Sequence, residues 1–254
     1  MDVAEFADRL DEKLDTGAYA DVDASMNGLQ VGPETQTVET AVFAVDAAEA
    51  TAEAAVAADA DVLVAHHGLS WGGIDRVTGQ SYRRLKPLID ADCALYVSHL
   101  PLDGHQKLGN AAGVADLLGL TDRAPFGDIG GVHAGTLGTV PEGLSAETVQ
   151  SRLDGLDQGS GRTQVLPFGP DSLERIAVLT GSGTDWLDEA IAAGADALVT
   201  GEGKQKVYHQ AREAGVTVML AGHYATETAG VQSLQELADG WGLDTGFIDH
   251  PTGL

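Results

Sequence analysis

The sequence predicts an α/β protein of two related αβ lobes, with mainly parallel sheets and helices packed on them. Three observations predict it. Short apolar runs alternate with stretches of helical periodicity, which is the pattern of βαβ units. One αβ segment recurs: residues 57–68 (AADADVLVAHHG) and 192–203 (AAGADALVTGEG) agree at seven of twelve positions at a constant offset of 135. The length of 254 residues, with 43% hydrophobic residues and 33 glycines, suffices for a sizeable core with many turns.

The elements follow in order. Val3, Phe6, Leu10 and Leu14 recur at helical spacing behind a capping pair, Asp2 and Glu5. Residues 40–45 (TAVFAV) read as a strand, the Ala-rich stretch 46–59 as a helix, and 61–65 as a short buried strand. A helix around 81–90 leads to a strand at 94–98. A helix over 105–118 is stopped by Gly119. Residues 132–140 read as a strand and 145–153 as a helix. Strands at 176–179, 197–200 and 216–221 are separated by helices near 185–193 and 204–214. A long helix, 226–241, and a last strand, 246–249, close the chain. A soft boundary is expected near 125–131 (PFGDIGG). The expected organisation is a first lobe over 1–125, a second over 126–222, and a closing helix and strand over 223–254 that return to the first.

Composition excludes several function classes. No apolar run reaches the ~18 residues of a membrane span. The N-terminal MDVAEFADRLDEKL lacks a basic segment followed by an apolar one, so a cytoplasmic protein is expected. The single cysteine, Cys93, rules out an intrachain disulfide and a thiolate zinc cluster. Lys and Arg number 14 against 39 Asp and Glu, a net charge of −25. Binding to a phosphate backbone runs on clustered Lys and Arg, so nucleic acid is a disfavoured partner. The acidic, Lys-poor balance fits adaptation to high salt, where self-repulsion is screened.

Three motifs carry chemistry. His66-His67 follows the strand at 61–65. Neighbouring strand residues face opposite ways, so both imidazoles meet one site only where the strand ends and turns, which Gly68 allows. SHLPLDGH (98–105) offers His99, Asp103 and His105 at the end of the next strand. His99 also reads as a hydrogen-bonded core histidine, Asp103 as a helix N-cap and His105 as a surface residue. GHYATET (222–228) places His223 and Glu227 at i, i+4, on one face of a helix. In a parallel sheet the three strand ends lie on one edge, where ligands gather. His66, His67, Asp103, His223 and Glu227 then supply three imidazoles and two carboxylates. Those are too many ligands for one open tetrahedral zinc and suit two ions. TGSG (180–183) reads mainly as a tight turn, with an anion cradle as the alternative. Glu202 reads equally as an exposed loop acid and as a base near the metals. Trp71, with Arg83 and Arg84, reads as packing or as a pocket wall.

HHGLSWGG, SHLPLDGHQKLGN, TGEGKQKVYHQAREAG and AGHYATET, in this order, resemble the Nif-three-like dinuclear metal-centre family, the GTP cyclohydrolase 1 type 2 homologues. SMNGLQVG (25–32) resembles that family's early motif. The length implies its compact form, without an inserted domain. The resemblance implies a two-lobed fold in a toroidal homohexamer and a metal pair on the five residues just named. Glu227 would bridge, and Asp103 would serve one ion. Thr228 stands where some members carry Arg, which puts a phosphate-binding role there in doubt. The expected function is a metal-dependent hydrolase acting on a small, nucleotide-like substrate, with His99 or Glu202 moving the proton. The alternative is a non-catalytic metal-binding scaffold or regulator. Two divalent ions per chain (Zn, Fe, Mn or Ni) are the expected cofactors.

Overall fold

The structure, a computed structural model, describes residues 1–159 and 161–254. The chain forms two compact units, Met1–Leu102 with Val231–His250, and Asp103–Gly230 with Pro251–Leu254. Each has its own sheet and its own apolar core.

The first unit contains α1 (Val3–Leu14), β1 (Gly28–Val31), β2 (Thr40–Asp46), α2 (Glu49–Ala57), β3 (Val62–His67), α3 (Gly79–Asp90) and β4 (Ala94–Val97). Asp2 caps α1 by accepting the Glu5 amide at 2.8 Å, as the spacing predicts. Val3, Phe6, Leu10 and Leu14 all face inward. Strands β2, β3 and β4 are parallel. β1, only four residues long, pairs antiparallel with β4. The last strand, β11 (Asp244–Phe247), pairs parallel with β2. The sheet order is therefore β1-β4-β3-β2-β11. Its core joins Leu63, Ala65, Leu95 and Val97 to Ala52, Ala55 and Leu88 of the helices.

Chain order continues with α4 (Leu100–Gly104), α5 (Asn110–Leu118), β5 (Thr121–Ile129), β6 (Val132–Leu144), α6 (Ala146–Leu153), β7 (Gln164–Leu166), β8 (Leu173–Val178), α7 (Leu187–Ala192), β9 (Ala197–Thr200), α8 (Lys206–Ala214), β10 (Thr217–Leu220), α9 (His223–Thr226) and α10 (Thr228–Asp239). The second unit's sheet runs β5-β6-β8-β9-β10-β7, with β8, β9 and β10 parallel and the others antiparallel. Its core gathers Leu118, Val149, Leu153, Ile176, Val199 and Met219.

Three expectations need correction. The helix expected over 105–118 begins only at Asn110: α5 ends on left-handed Gly119 (φ +72°), and Asp103 lies on a separate short helix, α4, ahead of that span. Asp103 is thus no cap of the longer helix. The helix expected from 226 begins at Thr228, after the single turn of α9. The stretch 125–131 is part of a hairpin, with β5 turning into β6 at Gly130 and Gly131, both at positive φ.

The repeat is borne out in detail. β3 and β9 are both central strands of a parallel trio, 135 residues apart. Asp61 accepts the amides of Glu39 and Thr40 at 2.8 and 2.9 Å. Asp196 accepts those of Glu174 and Arg175, each 135 residues further on, at 2.9 and 2.8 Å. The turn before each central strand uses a left-handed residue, Asp59 (φ +51°) and Gly194 (φ +71°).

Candidate metal centre

In the first unit, β3 runs on through His67, whose partner is Asp46 on β2. On its other side the pairing with β4 ends at Ala65 and Val97. The strand is released on that side only, and the His66 and His67 ring centroids come to 4.5 Å. Gly68 serves by allowing close approach, since a Cβ there would lie 2.8 Å from Val97 Cγ2.

Each ring is pinned through Nδ1. His66 Nδ1 meets the Ser98 carbonyl at 2.9 Å, and His67 Nδ1 meets Asp46 Oδ1 at 2.9 Å. His99 Nδ1 meets Asp23 Oδ1 at 2.9 Å. Asp23 is a carboxylate with a structural task. Its oxygens also accept from the amides of Ser25 and Leu100 and from Asn27 Nδ2, and Asn27 Oδ1 in turn accepts the His99 amide. Burial raises its pKa, yet the hydrogen bonds and charge from His99, with Asn27 and Ser25, outweigh burial and leave it lowered. The half-exposed Trp71 indole stands 5.0 Å from the His99 ring. Sequence reasoning misses Asp23 and Asp46. Their signal is their position, Asp23 two residues before SMNGLQVG and Asp46 at the end of β2.

In the second unit, Asp103 is buried, and its Oδ1 accepts from Asn110 Nδ2 at 2.8 Å and Thr180 Oγ1 at 3.0 Å. Asn110 is locked in turn by accepting the Gly230 amide at 2.9 Å. The TGSG loop is no anion cradle. Its Gly181 and Gly183 amides are spent on Thr226 and Thr200, and its Thr180 orients Asp103. His223 Nε2 lies 3.2 Å from Glu227 Oε1, and its Nδ1 lies 3.2 Å from Glu202 Oε1. Glu227 sits buried at the junction of α9 and α10, with an oxygen within 4.8 Å of one on Asp103. Desolvation works against charge on His223, but Glu227 and then Glu202 outweigh it and raise its pKa to about 9. Gly181, at φ +58°, leaves room for this pair, since a Cβ there would collide with Glu227 Oε1 and lie 3.1 Å from His223 Nε2. His105 accepts the Leu108 amide through Nδ1 at 2.9 Å.

A cavity of about 250 Å³ in the second unit is lined by Glu202, Arg162, Gln158, Leu220 and the glycines Gly201 and Gly222. Cys93 is buried, with its thiol pushed up to about 11 first of all by desolvation, and it behaves as a small apolar residue. Arg83 pairs with Glu49 at 2.8 Å.

The model of one family, Duf34/NIF3 (NGG1p interacting factor 3), matches residues 1–252. This chain belongs to the DUF34/NIF3 family. Within the family, a Halobacterium salinarum protein called "GTP cyclohydrolase 1 type 2 homolog" is 57% identical over 255 residues, covering all of both chains. Among solved structures, "protein ybgI, unknown function" superposes with a TM-score of 0.91 at 34% identity, over the whole of both chains. The TTHA1606 protein of Thermus thermophilus does so with a TM-score of 0.89 at 39% identity, again over both chains entire. The NIF3 fold expected from the motifs is thus the fold observed. Among the described residues, no helix is long and apolar enough to cross a membrane.

Proposed function

We propose that His66, His67, Asp103, His223 and Glu227 together hold two divalent metal ions and that the chain is a metal-dependent hydrolase. The observation that carries this is the pinning of the donors. His66, His67 and His223 each keep one ring nitrogen on an oxygen partner, and Asp103 is oriented by Asn110 and Thr180. Such outer partners fix the tautomer and aim of a ligand and raise its basicity. Three imidazoles and two carboxylates fit Zn, Fe, Mn or Ni. Two such cations, when bound, would supply Lewis acidity, lowering the pKa of a water molecule and offsetting negative charge on a substrate.

The residues of the chain do the rest. Glu227, beside His223 and within 4.8 Å of Asp103, would hold metal together with these two residues. Glu202 orients His223, lines the cavity and is half exposed, and we assign it the proton released by the water. Arg162 offers a cation to a substrate's negative charge from the same cavity. The relatives' name, GTP cyclohydrolase 1 type 2 homolog, makes a purine nucleotide the first substrate class to try. The assembly we propose is a homohexamer, six chains of 26.2 kDa.

Elemental analysis of untagged protein is expected to give two metal equivalents per chain, and fewer in Glu227→Ala. Glu202→Gln is expected to keep both and to lose nucleotide hydrolysis. A wild-type chain without metal overturns the centre. A loaded chain that turns over no nucleotide overturns the nucleotide as substrate, and one that hydrolyses neither nucleotides nor other phosphate esters and amides overturns the hydrolase and favours a metal-dependent scaffold. Light scattering checks the assembly, and any mass other than that of six chains overturns the hexamer.

A further inference from the structure

Trp71 is one of three tryptophans in the chain. The other two are engaged. Trp186 donates its indole N–H to the Asp128 carbonyl, and Trp241 packs edge-on against Phe6 with Arg9 over its ring. Trp71 is instead 50% exposed. Its backbone is nonetheless fastened on both sides. It forms a bridge with Ser25, the Met26 amide donates to the Ser70 carbonyl at 3.2 Å, and the Gly72 amide donates to the Ala24 carbonyl at 2.7 Å. Its ring meets that of His99 at a centroid distance of 5.0 Å and an angle of 79°, and stands 6.3 Å from that of His67. His99 is itself held by Asp23. An edge-to-face contact of this kind covers one face of the indole at most. The fastened backbone therefore keeps a large apolar ring half in water beside a proposed metal ligand. A ring placed for packing alone would be turned inward, where burial of its area is stabilising.

We propose that Trp71 is a stacking platform: the molecule bound at the metal centre carries a planar heteroaromatic ring of nucleobase type, and that ring lies on the exposed indole. The proposal rests on the reading of His67 as a metal ligand for the centre it serves, and not for the contact itself. Indole offers a wide π-face, on which every nucleobase stacks whatever its hydrogen-bonding edge. Trp71 thereby selects the class of ring and not its identity. A sugar phosphate without a base has nothing to place there. Trp71 is a specificity-determining residue and takes no part in metal binding, since the indole N–H is a donor only.

The test is equilibrium binding to the full chain as purified, by calorimetry, with guanosine monophosphate, uridine monophosphate and ribose 5-phosphate as probes. Trp71→Ala is expected to weaken both nucleotides by about 5- to 150-fold, and Trp71→Phe by much less. Neither variant is expected to change the binding of ribose 5-phosphate or the metal equivalents per chain. Equal nucleotide affinity in the wild type and Trp71→Ala overturns the proposal. So does a wild type that binds no nucleotide, or binds ribose 5-phosphate as tightly. Nucleotide binding that depends on Trp71 in a chain that hydrolyses nothing keeps the platform and overturns the hydrolase. Nucleotide hydrolysis that Trp71→Ala leaves unchanged in kcat and KM keeps the hydrolase and overturns the platform. A smaller assembly in Trp71→Ala, with nucleotide affinity per chain kept, overturns the platform and makes Trp71 a contact between copies. If Trp71→Ala does not fold, tryptophan fluorescence decides. Nucleotide, but not ribose 5-phosphate, is expected to quench the wild type and to quench Trp71→Phe less, and equal quenching in both overturns the proposal.

Discussion

His223 shows how one residue can be read twice. Without metal its neighbours Glu227 and Glu202 hold it protonated to about pH 9, although burial opposes the charge. The folded pKa exceeds the ordinary 6.5, so the ion pairing stabilises the metal-free chain fully below pH 6.5 and fades as pH rises through 9. The melting temperature of chelator-treated protein is therefore expected to fall between those limits, with the fall blunted in His223→Gln. An unchanged profile in that variant would assign the slope elsewhere. All five proposed ligands were legible as residue types at strand ends. Their supports were not. Asp23, Asp46 and Asn110 reach across 76, 21 and 7 residues of sequence to the side chains they orient, and no local pattern marks such pairs. Thr180 was visible only as part of a glycine turn, because its contact with Asp103 spans 77 residues.

At the scale of elements, the buried parallel strands and amphipathic helices were plain because burial imposes their periods. The strands that escaped are β1, β5 and β7. β5 is largely exposed and carries Pro125, so it lacks the alternation that marks a half-buried strand. β7 has three residues. The pair Asp61 and Asp196 is the clearest mark of duplication, since each receives two amides at the start of the preceding strand. Removing either acceptor leaves two N–H groups to find water, at a cost of about 1–3 kcal/mol. Asp61→Ala and Asp196→Ala are expected to lower stability in urea melts by similar amounts. A loss confined to one of them would break the equivalence.

For the molecule as a whole, the net charge of −25 sets the terms. Aspartate even occupies left-handed turn positions at Asp15, Asp59, Asp92 and Asp122, where glycine is the usual choice. Few basic residues are available for compensation, and ion pairs such as Lys204 and Lys206 with Asp185 are exposed and individually weak. Screening the repulsion is expected to raise the melting temperature steadily from low to multimolar KCl. A flat or falling curve would disprove the reading of this surface as adapted to salt.

Strand β11 pairs with β2 after nearly two hundred intervening residues, so the order of synthesis matters. As the ribosome releases the chain, β2 can find β3 early, but its other edge stays unpaired until residues 244–247 emerge. The N-terminal half must wait for the C-terminal end, with an apolar strand rich in Val and Phe open to mispairing meanwhile. A nascent chain cut short before β11 would be a better substrate for chaperones than for metal.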